Sequence, residues 1–369
     1  MQALKAKAGA CLIGAMIGAT ISAPLSAQQL PDYYPADYNK IVEASKSESG
    51  VLVYSIMSAQ NWKPVLETFN KKYPWIKVET LDLSNEIWSR YYSERAAGAR
   101  TADLIITLGI AQWTEFVNKN EALVYASPEG KFVPEWSKPF PGVYSVSADP
   151  VMIVWNSKLL PGKKFNSMAQ VADLAADPKM HGKLTTYDGA SGAMTMTFPW
   201  VWSQYHKDKG WSLLDKVGPA SKPERSGGTM LSKVVTGEYA LAYLTSAITV
   251  LPKLNDPGVK GVVEWSFITD GQPVYSRAMS ISKAAKSPNS AKLLLDHTIS
   301  HEGQVGWGKG GLTPLRDDVR DDEVPFYTYK RLEREVGGPS KIQVLEYDPK
   351  AGAESDAYVK RWKAAYKRP

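Results

Sequence analysis

The first third of the chain alternates between two kinds of hydrophobic pattern. Val51-Leu52-Val53-Tyr54-Ser55 is a β-branched and aromatic run of strand length. The stretch after it places Trp62, Val65, Leu66 and Phe69 on one face of a helix that Tyr73-Pro74 stops. Residues 76–81 then alternate as a strand, 85–99 read as a helix and 102–107 as a further buried strand. The order strand, helix, strand, helix, strand implies right-handed crossovers and a mainly parallel sheet. A short amphipathic helix over 37–47, closed by Gly50, precedes this run.

The pattern changes after Gly142. Residues 143–148 and 151–156 are two extended runs joined at Asp149-Pro150. A helix over 165–177 carries Phe165, Met168, Val171 and Leu174 on one face and ends at Pro178. A strand at 183–187, helices at 194–204 and 230–235, and an apolar strand at 239–244 follow. Helices over 326–336 and 356–366, the last one basic and amphipathic, complete the prediction, with a turn at Gly337-Gly338-Pro339.

Two small-residue loops run into the helices of this region: Asp188-Gly189-Ala190-Ser191-Gly192-Ala193-Met194-Thr195 and Ser226-Gly227-Gly228-Thr229. A helix start offers unpaired N–H groups and the positive end of the dipole, so hydroxyls there either cap the helix or help to hold an anion. In a parallel sheet ligands collect beyond the carboxyl ends of the strands. Ser55, Ser58 and Thr107 stand there, as do Thr245 and Ser246. The candidate ligand-binding residues are therefore Ser55, Ser58, Thr107, Asp188, Ser191, Gly192, Thr195, Arg225, Gly227, Gly228, Thr229, Tyr243, Thr245 and Ser246, with Arg225 as charge partner. Trp62, Tyr144, Trp200, Trp202 and Tyr243 are candidates to wall a cleft, against the ordinary core use of aromatics.

Composition limits what such a chain can be. With 369 residues, 44% hydrophobic and 22% charged, it has room for two domains and the profile of a soluble globular protein. The net charge of +6 is spread along the chain, which argues against a nucleic-acid interface. Lys5 and Lys7, the apolar run 8–23 and Leu25-Ser26-Ala27 read as a secretory signal peptide cut after Ala27; a retained membrane helix suits this short, Ala- and Gly-rich run less well. The single cysteine, Cys11, lies in that leader, so the expected mature protein has no disulfide and no thiolate metal site. Loss of Lys5 and Lys7 leaves 42 of the 44 basic residues against 38 acidic ones, a net charge of +4.

Other chemistry finds little support. His297 and His301 are four apart on a predicted helix but lack a third fixed ligand for a metal. Gly189-Ala190-Ser191-Gly192 is not a nucleophile elbow, because residue 193 is Ala, and no phosphate loop or dinucleotide fingerprint is present. The acidic group Asp317-Asp318 and Asp321-Asp322-Glu323 lacks the spacing of a calcium loop. No catalytic residue, metal ligand or cofactor is assigned; a secreted hydrolase acting through Ser191 is the alternative, and it wants a base beside that serine.

One resemblance runs through the chain. Tyr54-Ser55, Phe69 with Tyr73-Pro74-Trp75-Ile76-Lys77-Val78-Glu79, Ala102-Asp103-Leu104-Ile105, Trp155-Asn156-Ser157-Lys158-Leu159-Leu160, Gly237-Glu238-Tyr239-Ala240 and Ser300-His301-Glu302-Gly303-Gln304 occur in this order. Together they resemble the extracellular solute-binding proteins of bacterial ABC importers, family 1. Within it they are most similar to the type 2 branch that includes ferric-ion, sugar-phosphate, phosphonate and polyamine binders. The resemblance covers 51–319 and implies an α/β fold: a two-lobed type 2 periplasmic-binding-protein clamshell. Each lobe would be a mainly parallel sheet flanked by helices, with hinge crossings near 146–151 and 267–277. It divides the chain into a signal peptide (1–27), the first part of lobe 1 (28–145), lobe 2 (146–267), and the second part of lobe 1 with C-terminal helices (268–369).

The function implied is capture of a small solute between the lobes of a periplasmic monomer and its delivery to the permease subunits. The ferric-ion members carry paired tyrosines about nine residues after the Gly-Glu pair and often a histidine after the first strand; this chain has Ala247-Ile248 and Ser58 there. Hydroxyls, amides and Arg225 suit an organic anion, such as a phosphonate, sugar phosphate or carboxylate. Ferric ion, a sugar or a polyamine is the alternative solute, although for a cation only Asp188, Asp103 and Asp270 are at hand.

Overall fold

The computed structural model describes residues 30–348 and 350–368, and the leader expected over 1–27 lies outside them. Residues up to Tyr34 are a unit by themselves, whose described part is a turn closed by the Tyr34 N–H on the Pro31 carbonyl (2.9 Å). From Pro35 the described chain forms α1 (Asn39–Ser45), β1 (Val51–Ser55), α2 (Ala59–Lys72), β2 (Val78–Asp82), α3 (Ile87–Ala96), β3 (Leu104–Thr107) and α4 (Ile110–Asn118). The middle of the chain is β4 (Val143–Asn156), α5 (Met168–Ala175), β5 (Leu184–Thr185), α6 (Ala193–Val217), α7 (Gly227–Thr236), β6 (Leu241–Ser246) and the single turn α8 (Ala247–Val250). Then come β7 (Val263–Ser266), β8 (Gln272–Ile281), α9 (Pro288–Ile299), α10 (His301–Lys309), α11 (Tyr329–Val336), β9 (Ile342–Val344) and α12 (Ala351–Ala365).

β1 pairs in parallel with β2 and β3, as the alternating pattern predicts. β5 and β6 are parallel too. Around them pack α2, α3 and α4, of which α4 has no counterpart in the sequence reading; on the predicted apolar face of α2, Trp62, Val65 and Phe69 are fully covered. Tyr54, Trp88, Tyr91, Ile105, Trp113 and Phe116 form one cluster over the β1–β3 sheet. Each large aromatic buried there is worth a few kcal/mol of transfer free energy.

The run predicted as two strands broken at Asp149-Pro150 is one strand, β4, antiparallel to β8 through Pro150↔Val274. Beyond that point β4 changes partners, to β6 and β7. A proline has no N–H to donate, and it sits where the ladder is handed on. β4 therefore joins the β2-β1-β3-β8 half of the sheet to the β6-β5 half. Between Ser145↔Ala278 and Ala148↔Ser276 the register slips, so that Val146 and Ser147 oppose the single residue Arg277.

The C-terminal helix, expected with the first lobe, touches both halves. Gly352 of α12 lies beside Ala111 of α4, while Arg361 makes two hydrogen bonds to Asp215 of α6 (2.7 Å each). Tyr358 packs on Trp200 and Trp211, and fully buried Trp362 lies under Gly189. Periodicity marks a helix face as apolar but not which neighbour will cover it.

Candidate functional site

A cavity of about 330 Å³ lies beyond the carboxyl ends of β1, β2, β3 and β6. Ile56 and Ser58 enter it after β1, Asp82 and Ser84 at the end of β2, and Leu108 after β3. From the other half come Tyr187 after β5, Met194 and Phe198 of α6, Arg225 to Gly228 at the start of α7, and Ser246, Ile248 and Thr249 after β6. Arg277 of β8 completes the wall.

The start of α7 shows why the second small-residue loop lies there. Gly227 and Gly228 are the first helical residues, and the Ser226 hydroxyl accepts the Thr229 N–H (3.5 Å) as N-cap. The remaining first-turn N–H groups and the dipole of this ten-residue helix open on the cavity edge. Glycine at 227 allows close approach: a Cβ there would collide with the Tyr187 hydroxyl and lie 2.9 Å from Thr249 Oγ1. Arg225, exposed, has no acidic partner among the described residues.

Arg277 is the opposite case, with 4% of its side chain exposed. Its Nη1 donates to Asp149 Oδ2 and to Ser147 Oγ (3.3 Å), and its Nη2 to the Tyr275 hydroxyl (3.4 Å). Nε–H has no acceptor. Asp149 Oδ1 accepts the Thr313 N–H (2.9 Å), and Ser147 Oγ donates to Oδ2. Burial raises the Asp149 carboxyl, with the guanidinium, the Ser147 hydroxyl and the Thr313 amide acting against that rise. Burial also pushes the Tyr187 phenol up to about 12 and raises Tyr275, so both are protonated near neutral pH. Tyr187 stacks on Phe198 (centroids 3.9 Å apart), and Phe198 meets Tyr275 edge-on.

Of the predicted candidates, Ser58, Arg225, Gly227, Gly228 and Ser246 line this cavity. Thr229 stands one residue further into α7. Ser55 is spent inside: its hydroxyl accepts the Trp62 Nε1–H (3.1 Å) and donates to the Met57 carbonyl (3.3 Å). Thr107 is buried, its carbonyl taking the Trp113 indole N–H (3.1 Å). The first small-residue loop is tied up in local bonds. Asp188 Oδ1 accepts the Ala190 N–H (3.0 Å), Ser191 bonds the Asp188 carbonyl (3.0 Å) and Thr195 Oγ1 (2.9 Å), and Gly192 starts α6 against Asn85. Tyr243 is fully buried between Ser221 and Tyr366, and Thr245 is buried without a partner.

The aromatic candidates do not line the cavity. Trp62 packs edge-on against Trp307, Trp200 meets Tyr358, Trp202 meets His206, and Tyr144 bonds the Tyr125 carbonyl (2.9 Å). The aromatic wall is Tyr187 and Phe198 instead. His297 is buried on Thr68 and Val65 while His301 faces Glu323, and among the described residues no group of three acidic, His or Cys side chains is placed to hold a metal. Sequence reasoning missed Arg277, Tyr187, Asp82, Ser84 and Thr249. For Arg277 a signal existed: a lone charge inside the fully buried strand Gln272–Ile281 wants a partner and a reason.

The model of the bacterial extracellular solute-binding protein family matches residues 56–305. The chain belongs to that family. Among solved structures it is similar to the substrate-binding protein of an ABC transporter from Agrobacterium tumefaciens, with TM-score 0.75 and 21% identity over 86% of this chain and 95% of that one. It is also similar to the fructose-6-phosphate-bound periplasmic binding protein AfuA from Actinobacillus pleuropneumoniae (TM-score 0.67, 17% identity, 86% and 98% covered). Iron-bound HitA from Pseudomonas aeruginosa is a third such structure (0.67, 16%, 86% and 99%). At these identities the likeness shows the fold, the two-lobed α/β clamshell. No curated protein matches the sequence.

Proposed function

We propose that this solute-binding protein captures a small organic anion in the cavity between its lobes and delivers it to the permease of an ABC importer. Carrying the reading is the convergence of three positive features on one cavity: the first turn of α7, exposed Arg225 and buried Arg277. The hydroxyls of Ser84 and Thr249 also line the space, together with Ser58, whose O–H is given to Asn61 Oδ1 (2.9 Å), and Ser246, which bonds the Tyr275 hydroxyl; Asp82 is the one carboxylate in the lining. The Arg225 guanidinium, the helix N-terminus and the spare N–H donors of Arg277, whose charge Asp149 offsets, favour phosphonate, phosphate-ester or carboxylate oxygens over a bare cation. The paired tyrosines that the resemblance leads one to seek in a ferric-ion binder are replaced by Ala247 and Ile248, of which Ile248 lines the cavity.

On this reading the protein has no catalytic step, and it works as a periplasmic monomer after loss of the leader 1–27. The lobes are 28–145 with 268–369, and 146–267, with hinge crossings near 146–151 and 267–277. Closure gains contacts from both halves at once. The test is a thermal-shift screen with methylphosphonate, glucose 6-phosphate, inorganic phosphate and pyruvate against neutral glucose and cationic spermidine. At least one anion should raise the midpoint, since whatever binds only the folded state stabilises it. A rise with glucose or spermidine and with none of the anions overturns the reading.

A further inference from the structure

We infer that Arg277 is the deep anchor for the anionic group of the solute, and that Asp149 is a positioning residue that holds its guanidinium toward the cavity. The inference rests on the anion reading of the same cavity. A guanidinium has five N–H groups. Asp149, Ser147 and the Tyr275 hydroxyl take up both Nη1 hydrogens and one on Nη2, which leaves Nε–H and one Nη2 hydrogen without a protein acceptor. A buried guanidinium with donors to spare, in the wall of a cavity that a helix N-terminus also faces, is suited to an oxyanion.

The backbone is arranged for this contact. Arg277 sits where β4 slips against β8, so two residues of β4 face one of β8 and the ladder opens beside the side chain. Ser147, in that slip, and Asp149, just past it, both reach the guanidinium. Asp149 is fastened in turn by the Thr313 N–H from the loop after α10. The anchor thus belongs to both strands that link the halves of the sheet, whereas Arg225 stands at the exposed rim. An anion on Arg277 is held from the strands about which the halves close.

The experiment takes the anion with the largest thermal shift in the screen and measures its Kd by calorimetry. Removing one member of a buried ion pair leaves an uncompensated charge, so the first variant removes both, D149N/R277Q, and near-UV circular dichroism checks its fold. Its affinity should fall by about tenfold or more, the effect of a lost charged hydrogen bond. Arg277→Lys, which keeps the charge and loses the fork, should weaken binding by about tenfold with little change in the ligand-free midpoint, and it decides the matter if the double variant does not fold. In the R277Q background, D149N should cost no further affinity, although D149N alone does; equal losses in both backgrounds would sink the positioning role. Wild-type affinity in Arg277→Lys or the double variant, with Arg225→Gln weakened, overturns the anchor and leaves the anion reading standing. Failure of every anion on the wild-type protein removes both.

Discussion

Two neighbouring buried residues, Asp296 and His297, are expected to shape the pH dependence of stability in opposite senses. The Tyr38 and Tyr125 hydroxyls donate to Asp296 Oδ2 (2.6 and 2.7 Å), and burial pushes its carboxyl up to about 7. Its proton is held more tightly in the folded state, so its contribution is full below the ordinary value of 3.8 and is lost as pH rises through about 7. Burial lowers His297 to about 3, so its contribution is full above 6.5 and is lost as pH falls from there. Between pH 4 and 6.5 the two slopes cancel. Urea titrations should show Asp296→Asn gaining stability with rising pH by about 1.4 kcal/mol per unit over that window, and His297→Gln losing as much; a flat Asp296→Asn profile would refute the pairing. At this scale part of the cavity lining was legible. A hydroxyl at a loop or helix start can be read from the string of residues but its use cannot: Ser58 and Ser246 line the cavity, Ser58 while also capping α2 through Asn61, whereas Ser55, Ser191 and Thr195 bond nearby backbone carbonyls. The same chemistry serves both uses, and the local dihedrals decide.

Among the elements, α7 and β6 do most to form the cavity. Leu244 takes a left-handed φ of 51° at the slip between Met152↔Thr245 and Val154↔Ala242, and after it Ser246 lines the cavity while Thr245 is buried. Alternation in the sequence predicts a strand here and gives no hint of the slip. For α7 the requirement is space. Gly227→Ala should cost about 1–3 kcal/mol through overpacking and remove the ligand-induced rise in midpoint, since the Tyr187 and Thr249 hydroxyls leave no room for a methyl. Gly228→Ala, whose Cβ would meet only Ser226 Oγ at 3.5 Å, should be neutral or stabilise by up to about 1 kcal/mol, since Ala is the better helix former. Thermal melts of both, with and without the anion, check the pair; equal destabilisation would show that the crowding at 227 is relieved elsewhere.

Across the whole molecule the C-terminal helix ties parts far apart in the chain. Trp362 backs the loop that leads into α6, Arg361 fixes α6 through Asp215, and Gly352 meets α4. Trp362→Ala should lower stability by about 3–5 kcal/mol in urea denaturation, the range for a large buried aromatic. A loss below about 1 kcal/mol would mean that α12 rests on the surface without supporting the fold. The lone arginine at the centre of β8 is likewise a matter of long range: Asp149 is 128 positions away and Thr313 comes from a third segment.

The local period of the sequence determined that 51–107 alternates strand and helix, that β1 to β3 form a parallel sheet, and where its carboxyl ends lie, because side-chain periodicity and crossover handedness act over short range; it gave no reading of α4, β7, β8 or β9. Tertiary structure alone decided that 143–156 is a single strand, that α12 lies across both halves, and that Arg277, paired with Asp149 behind it, lines the cavity. Those outcomes depend on contacts between segments more than a hundred residues apart, and a linear pattern carries no record of which distant partner neutralises a buried charge or covers an apolar face.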